Sequence, residues 1–287
     1  MKKILSVHAP PPVHWVGDGF PVRSLFHYAN HGRHLDPFLM LDHAAPTPFP
    51  PSSQRRGIGM HPHRGIETVT LVYQGEAAHR DTAGNSGEIG PGDVQWMTAG
   101  SGLLHEEYHS ERMGREGGVL EVAQIWVNLP ARLKMSAPGY QAIVAGDIPV
   151  VDLPAGAGSV RVITGAYAGV IGPTRTHTPM LVGDLRLRAG ATHRLVVPEG
   201  WSLGLVAMAG DAALQGGTPL RFGQLAIFAR EGTEVDVNAV TDATVLVLAG
   251  EPLGEPVVGQ GPFVMNTEAE IHAAFADFRA GKMGSPA

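Results

Sequence analysis

The chain has 287 residues, a formal net charge of −6, four lysines and no cysteine. The acidic balance leaves no basic stripe that could neutralise a phosphate backbone, so direct nucleic-acid binding is not expected. The lack of cysteine excludes disulfides, thiolate metal sites and a cysteine nucleophile, and the length favours two domains of ordinary size.

The N-terminal segment carries two lysines but does not have the pattern of an export signal. In MKKILSVHAPPPVHW the apolar run ends at Val7 and prolines follow, whereas a signal peptide has a longer apolar core. No later segment approaches the roughly 20 apolar residues of a membrane-spanning helix. We therefore expect a cytoplasmic protein without membrane contact, and we expect a monomer.

Short alternating apolar segments bounded by turn residues recur along the chain and predict an all-β protein. Alternation with a period of two is typical of strands that bury one face, and the 38 glycines and 23 prolines allow frequent turns. The segments predicted as strands of a sandwich or barrel are TVTLVYQG, DVQWMTAG, LEVAQIWVNLP, SVRVITGAY, LVGDLRLRAG, QLAIFAREG and TVLVLAG.

Two regions of the chain share one long pattern. TLVYQGEAA (70–78) is followed by IGPGDVQWM (89–97), and GLVAMAGDAA (204–213) is followed by RFGQLAIFA (221–229). Each pair reads as a strand, a Gly-acid-Ala-Ala turn, a loop and another strand. This repeat predicts a duplicated β-barrel, with a boundary around residues 130–140, where Pro and small residues interrupt the strand pattern.

One helix is predicted, in NTEAEIHAAFADFRAGK near the C-terminus. Thr267 and Glu270 have the spacing of a capping box, and Gly281 is the predicted stop. Ile271, Ala274, Phe275 and Phe278 form its apolar face. We expect this helix to pack over a sheet.

The segment GMHPHRG places His61 and His63 on either side of Pro62. Alternate side chains of a strand leave the same face, so the two imidazoles converge. Proline lacks an N–H and therefore suits a strand start or an edge strand. A lone H-x-H pair is more often structural than metal-binding.

A second pair strengthens the metal hypothesis. SGLLHEEYH puts His105 and Glu107 two residues apart, after the predicted strand DVQWM and a glycine-rich turn. If the two segments lie opposite each other in one barrel, three imidazoles and one carboxylate meet. Nitrogen and oxygen ligands suit Fe, Mn, Ni, Cu or Zn, and open coordination positions indicate catalysis or sensing.

The choice of carboxylate stays open at the level of periodicity. Glu67 has the same parity as His61 and His63, so it competes with Glu107 as the oxygen ligand. Glu106 has the opposite parity to His105 and is expected to point away from the site.

The segment HPHRGIETVTLVYQGEAAHRDTAGNSGEIGPGDVQWMTAGSGLLHEE resembles the signature region of pirin-like proteins, which are members of the cupin superfamily. The resemblance extends to GFPVRSLF and LDPFLMLDH near the N-terminus and to GEPLGEPVVGQGPFVMNTEAEI near the C-terminus.

The resemblance implies a bicupin, an all-β protein of two double-stranded β-helix (jelly-roll) barrels with a short C-terminal helix. Residues 1–135 would form the metal-binding barrel, and residues 136–287 the second barrel without a metal. Carried over from the family, the metal ligands are His61, His63, His105 and Glu107, which favours Glu107 over Glu67. The second barrel offers only His193 near the positions that correspond to the first histidine pair, close to Val196 and Pro198.

The resemblance further implies a dioxygenase similar to quercetinases, which would open a flavonol such as quercetin with O₂ and release CO. The expected cofactor is one divalent metal, Fe(II) first, with Mn, Ni, Cu or Zn as alternatives, and Glu107 would also accept the substrate proton. The alternative is a non-enzymatic, redox-sensing regulator that binds a protein partner through the same metal site. A zinc-dependent isomerase or hydrolase is a third hypothesis.

Other residues near the histidines have a functional and a structural interpretation. Arg55, Arg56 and Arg64 could attract an anion, but such arginines are more often solvated or bound to carbonyls. Five apolar residues could line a pocket for an aromatic ligand, but barrel core is the simpler interpretation for most of them: Phe38, Met40, Trp96, Met97 and Trp126.

Overall fold

The computed structural model describes residues 1–284 and consists mainly of strands, as predicted. The strands up to residue 143 are β1 (Ile4–His8), β2 (His14–Val16), β3 (Phe20–His27), β4 (Phe38–Phe49), β5 (Gly57–His63), β6 (Ile66–Gln74), β7 (Ala77–Asp81), β8 (Ser86–Ile89), β9 (Val94–Thr98), β10 (Leu103–His109), β11 (Gly118–Asn128) and β12 (Gly139–Ile143). The later strands are β13 (Val150–Asp152), β14 (Gly158–Thr164), β15 (Ala166–Tyr167), β16 (Val170–Ile171), β17 (Met180–Leu187), β18 (Thr192–Val196), β19 (Ser202–Ala209), β20 (Ala212–Leu214), β21 (Thr218–Leu220), β22 (Leu225–Phe228), β23 (Glu234–Ala239), β24 (Ala243–Gly250), β25 (Val258–Gln260) and β26 (Phe263–Met265).

The helices are α1 (Gly32–Leu35), α2 (Glu111–Glu116) and α3 (Glu268–Arg279). Within residues 1–284, no helix has the length and apolar character needed to cross a membrane. Each segment predicted as a strand contains one, namely β6, β9, β11, β14, β17, β22 and β24.

The chain forms two compact units, and neither is one continuous segment. The first barrel unit consists of Pro12–Tyr28, Leu39–Ala145 and Gly254–Ala287; the second consists of Met1–Pro11, Ala29–Phe38 and Gly146–Leu253. The predicted division into residues 1–135 and 136–287 treats each barrel as one stretch of chain. It therefore does not include the exchange by which β1 belongs to the second unit and α3 to the first.

Two sheets build the first barrel unit. One has seven strands in the order β12-β9-β6-β11-β4-β3-β2, and the other has four in the order β5-β10-β7-β8. The pairs β5–β10 and β10–β7 are antiparallel, so β10 lies in the middle of the small sheet with β5 at its edge. This small sheet carries the candidate site.

The second barrel unit repeats the same arrangement. Its seven-stranded sheet has the order β1-β22-β19-β24-β17-β14-β13, and its four-stranded sheet has the order β18-β23-β20-β21. The sequence repeat is confirmed at the level of pairing, because β6 pairs with β9 and β19 pairs with β22, both antiparallel. Strands β18 and β23 direct Leu195, Val235 and Val237 into the apolar core of this unit.

The predicted C-terminal helix is confirmed as α3. Thr267 accepts a hydrogen bond from the backbone N–H of Glu270, and the Glu270 side chain accepts one from the Thr267 backbone, which completes the capping box. Ile271 and Ala274 are buried against a cluster that includes Leu104 of β10. The helix thus packs on a strand that carries part of the candidate site.

Candidate metal centre

The histidines of the candidate site come from two neighbouring strands. His61 lies opposite His105 in the β5–β10 pair, and His63 lies opposite Leu103. Because His61 and His63 are two residues apart on β5, they share a face of the sheet. Pro62 is accommodated because β5 is an edge strand, as its missing N–H predicted.

The three imidazoles converge. Each of His61, His63 and His105 offers one ring nitrogen that could bind a metal, and these three nitrogens lie within 4.8 Å of one another. The ring centroids are separated by 5.1 Å for His61 and His63, 4.2 Å for His61 and His105, and 5.0 Å for His63 and His105. This spacing allows three nitrogen atoms to bind one ion.

Hydrogen bonds determine which nitrogen of each ring is free. His61 Nδ1 donates to the Gly59 carbonyl at 2.9 Å, and His63 Nδ1 donates to the Pro262 carbonyl at 3.2 Å. Each ring therefore keeps its Nε2 lone pair for a ligand. His105 Nε2 is buried and has no hydrogen-bond partner among residues 1–284. A buried ring nitrogen whose lone pair meets no hydrogen-bond donor is well suited to bind a metal cation.

Burial keeps the imidazoles of His63 and His105 neutral. Desolvation, followed by the charge of His61, lowers the pKa of His63 to about 3. Desolvation also lowers the pKa of His105 well below its usual value, with smaller contributions from His61, His63 and His79. Neutral imidazole is the form that binds metals.

Glu107 shares the inner face of β10 with His105, but its carboxylate is held elsewhere. It accepts hydrogen bonds from Gln124 Nε2 at 2.8 and 3.0 Å and from Thr70 Oγ1 at 3.3 Å. It is not part of the group formed by the three histidines. Its role as a fourth ligand therefore stays a prediction.

The competing carboxylates have other partners. Glu67 accepts a hydrogen bond from Thr98 Oγ1 at 2.7 Å, and burial raises its pKa to about 7 although that hydrogen bond lowers it. Glu106 forms ion pairs with Arg55 at 3.3 Å and Arg80 at 2.9 Å. Glu106 thus points away from the histidines, as its strand parity predicted.

The arginines beside the histidine pair have structural partners. Arg55 also lies over the Tyr108 ring, 3.7 Å from its centroid, and Arg56 donates to the Pro50 carbonyl. Arg64 donates to the Ser101 carbonyl and pairs with Asp277 of α3 at 3.0 Å. These contacts favour a structural role for the three arginines over the attraction of an anionic ligand.

Most of the apolar candidates are buried core. Phe38, Met40, Trp96 and Met97 are all buried. Trp126 differs, because its ring meets that of His63 edge to face with centroids 5.1 Å apart. Its buried Nε1 has no hydrogen-bond partner in the described part of the chain.

A small cavity of about 30 Å³ borders the Glu107 carboxylate. Its walls are Val16, Phe20, Val22, Asp42, Ala44, Thr70, Ala77, Glu107, Val122 and Gln124. The cavity can hold about one water molecule but not an aromatic ligand, which needs roughly 300 Å³ or more.

Sequence reasoning missed His79. This residue of β7 lies opposite Glu107 in the β10–β7 pair, and His79 Nδ1 is 3.4 Å from His105 Nδ1. No strand was predicted at this position, so the alternation of Ala77, His79 and Asp81 becomes informative only once β7 is known to pair with β10.

Comparisons with known proteins agree with this architecture. Residues 19–127 match the family model described as Pirin, and residues 182–284 match the model described as Pirin C-terminal cupin domain. A relative from Pseudomonas aeruginosa, named "Putative quercetin 2,3-dioxygenase", is 52% identical over 282 residues, which is 98% of each chain. A pirin-like protein of Caulobacter vibrioides is 43% identical over 86% of this chain and 87% of its own.

A solved structure is similar over the whole chain. The crystal structure of a quercetin 2,3-dioxygenase from Acinetobacter baumannii superimposes with a TM-score of 0.97 at 49% identity, covering 99% of both chains. The predicted bicupin fold is thereby confirmed.

Proposed function

Because the chain belongs to the pirin family of cupin proteins, we propose that it is a metal-dependent dioxygenase that opens a flavonol such as quercetin with O₂. The observation that carries the proposal is the convergence of three imidazoles, one of which has a buried nitrogen without a hydrogen-bond donor. Relatives named for quercetin 2,3-dioxygenase match nearly the full chain and support the substrate class.

The proposed ligands are His61, His63 and His105, with Glu107 as the fourth. We propose iron(II) as the ion, with Mn, Ni, Cu and Zn as alternatives that suit the same donors. Such an ion supplies Lewis acidity and, for iron, one-electron chemistry with O₂. In the overall reaction both atoms of O₂ enter the opened product and one carbon of the flavonol leaves as CO.

The chain itself contributes proton handling and orientation. Glu107 is the proposed acceptor of the flavonol hydroxyl proton, and its carboxylate accepts hydrogen bonds from Gln124 and Thr70. Trp126, half-buried beside His63, is the proposed aromatic contact for the substrate.

The test is oxygen uptake and CO release by protein loaded anaerobically with iron(II) and then given quercetin. His105→Ala should lower the rate of oxygen uptake at least about 100-fold, since it removes one of the three imidazole ligands of the ion. His109→Ala is the matched control, because His109 is also a buried histidine of β10 but donates to the Gly19 carbonyl.

The same measurement separates the alternative function. Loaded wild-type protein that consumes no O₂ with quercetin or related flavonols contradicts the dioxygenase. A protein partner that binds stoichiometrically to only one oxidation state of the iron form would then establish the redox-sensing regulator.

A further inference from the structure

A chain of hydrogen bonds connects His105 through His79 to Asp81, a carboxylate that has no role in the proposed reaction. His105 Nδ1 lies 3.4 Å from His79 Nδ1, and His79 Nε2 lies 3.2 Å from Asp81 Oδ2. The side chain of Gln95 approaches the same His79 Nδ1 with its Nε2 at 3.2 Å. All four side chains are buried.

The placement of protons along this chain follows from what each group can do. The Asp81 carboxylate only accepts hydrogen bonds, so His79 must carry its proton on Nε2. His79 Nδ1 is then an acceptor, which agrees with the approach of the Gln95 amide, a donor at Nε2. The single lone pair of His79 Nδ1 thus faces both the Gln95 amide and His105 Nδ1, which places the His105 proton on Nδ1 as a second, longer donor and leaves the lone pair of His105 Nε2 free.

Asp81 is itself well fixed as a carboxylate. Its Oδ1 accepts hydrogen bonds from the backbone N–H groups of Ala83 and Asn85, each at 2.9 Å, and Asn85 Nδ2 donates to Oδ1 at 3.2 Å and to Oδ2 at 3.0 Å. Burial raises the pKa of Asp81, but the hydrogen bonds from His79 and Asn85 outweigh it, so the pKa is lowered overall.

The ring of His79 is also held from its face. Tyr140 stacks on it with centroids 5.3 Å apart and an interplanar angle of 24°. The ring is therefore fixed by two hydrogen-bonded nitrogens and one aromatic contact, as a side chain with an orienting role requires.

We propose that His79, oriented by Asp81, is a positioning residue that holds His105 in the one tautomer whose Nε2 can bind a metal ion. The role in metal binding rests on the proposed metal site, whereas the tautomer is a property of the metal-free protein. Partners of ligand histidines commonly tune metal affinity in this way, and here the connection to the carboxylate passes through a second imidazole.

The first experiment reads the tautomer of His105 directly. Long-range ¹H–¹⁵N NMR spectra of metal-free protein should show the proton of His105 on Nδ1. In Asp81→Asn the oxygen can still serve the Ala83 and Asn85 N–H groups, but the new amide then faces His79 Nε2 as a donor. We expect His79 to become protonated at Nδ1 and His105 to move toward the Nε2-protonated form.

The second experiment measures nickel(II) affinity by competition with a chelating dye. His79→Leu and Asp81→Asn should each bind nickel(II) about 10–100-fold more weakly than the wild type. His79→Gln should stay within about threefold, because its amide can accept from His105 and donate to Asp81. His109→Leu, which disturbs a buried histidine without contact to the three-histidine group, should leave the affinity unchanged.

Two results would overturn the proposal: a metal-free wild type with His105 protonated at Nε2, or nickel(II) affinities of His79→Leu and Asp81→Asn equal to that of the wild type. If His79→Leu does not fold, the nickel(II) affinity of Asp81→Asn and the His105 tautomer of the wild type still test the proposal. A protein with the expected tautomer and nickel(II) affinities but no flavonol oxidation would refute the proposed dioxygenase and leave the role of His79 standing.

Discussion

Lys134 shows how one buried residue stabilises the backbone around the candidate site. Its Nζ donates to the carbonyls of Gly65 and Val264, both at 2.9 Å, and to Asn128 Oδ1 at 2.7 Å. Gly65 follows the His63–Arg64 segment directly in sequence. The ammonium group therefore ties the chain after β5 to the C-terminal strand β26.

Lys134→Met should destabilise the protein, because it leaves three buried acceptors without their donor. We expect a loss of about 2–4 kcal/mol in the free energy of unfolding, measured by urea denaturation. Lys282→Met, at an exposed position, is the control and should change the free energy by less than about 0.5 kcal/mol.

The pH dependence of this loss has a defined sign. Burial lowers the pKa of Lys134 from 10.5 to about 8, so between these values the unfolded chain binds more protons than the folded one. Stability contributed by Lys134 therefore rises with pH across that window. The difference between wild type and Lys134→Met should grow as the pH is raised above 8, and a difference that shrinks would refute this reasoning.

The types and spacing of residues predicted part of the site, and the rest became visible only from the strand pairs in the structure. Parity predicted that His61 and His63 share a face, because an i, i+2 spacing on a strand fixes it, whereas their meeting with His105 was a hypothesis that the family resemblance supported. His79 was missed, because its relation to His105 depends on which strand pairs with β10. The burial of Lys134 was equally invisible, since its acceptors come from segments distant in sequence.

At the scale of elements, the C-terminal segment holds the site strands from outside. His63 donates to the carbonyl of Pro262, and Arg64 pairs with Asp277 of α3. The apolar face of α3 meets Leu104, the neighbour of His105, in one buried cluster. The sequence predicted the helix from its cap and periodicity, but not that it packs on β10.

Ile271→Ala should therefore affect both stability and metal binding. Ile271 is 2% exposed in that cluster, so its truncation should cost about 2–4 kcal/mol in urea denaturation. We also expect weaker nickel(II) binding, because Phe263 of the same cluster directly follows the Pro262 carbonyl that orients His63. His272→Ala, one residue further on the exposed side of α3, should change neither quantity.

At the scale of the whole molecule, one topology is used with two kinds of interior. Both units combine a seven-stranded and a four-stranded sheet. The small sheet of the first unit carries the histidines, whereas that of the second carries Leu195, Val235 and Val237 into an apolar core. The repeat could be predicted from the sequence because strand and turn spacing survive a change of interior residues. The assignment of β1 to the second unit and of α3 to the first could not be predicted, because local patterns do not specify distant partners.

The interior of the first unit should make the metal-free protein sensitive to acid. His63 has a pKa of about 3 in the folded state against 6.5 for an exposed imidazole, so between these values only the unfolded chain binds the proton. Stability is therefore lost as the pH falls below 6.5.

Replacing His63 by a residue that does not titrate removes this contribution. The free energy of unfolding of metal-free wild type, minus that of His63→Asn, should decrease by on the order of 1 kcal/mol per pH unit between about pH 6 and pH 4. His272→Asn, which removes an exposed histidine of α3, should leave the slope of the wild type unchanged. Parallel curves for wild type and His63→Asn would show that His63 is not held neutral by burial, and urea denaturation at each pH provides the measurement.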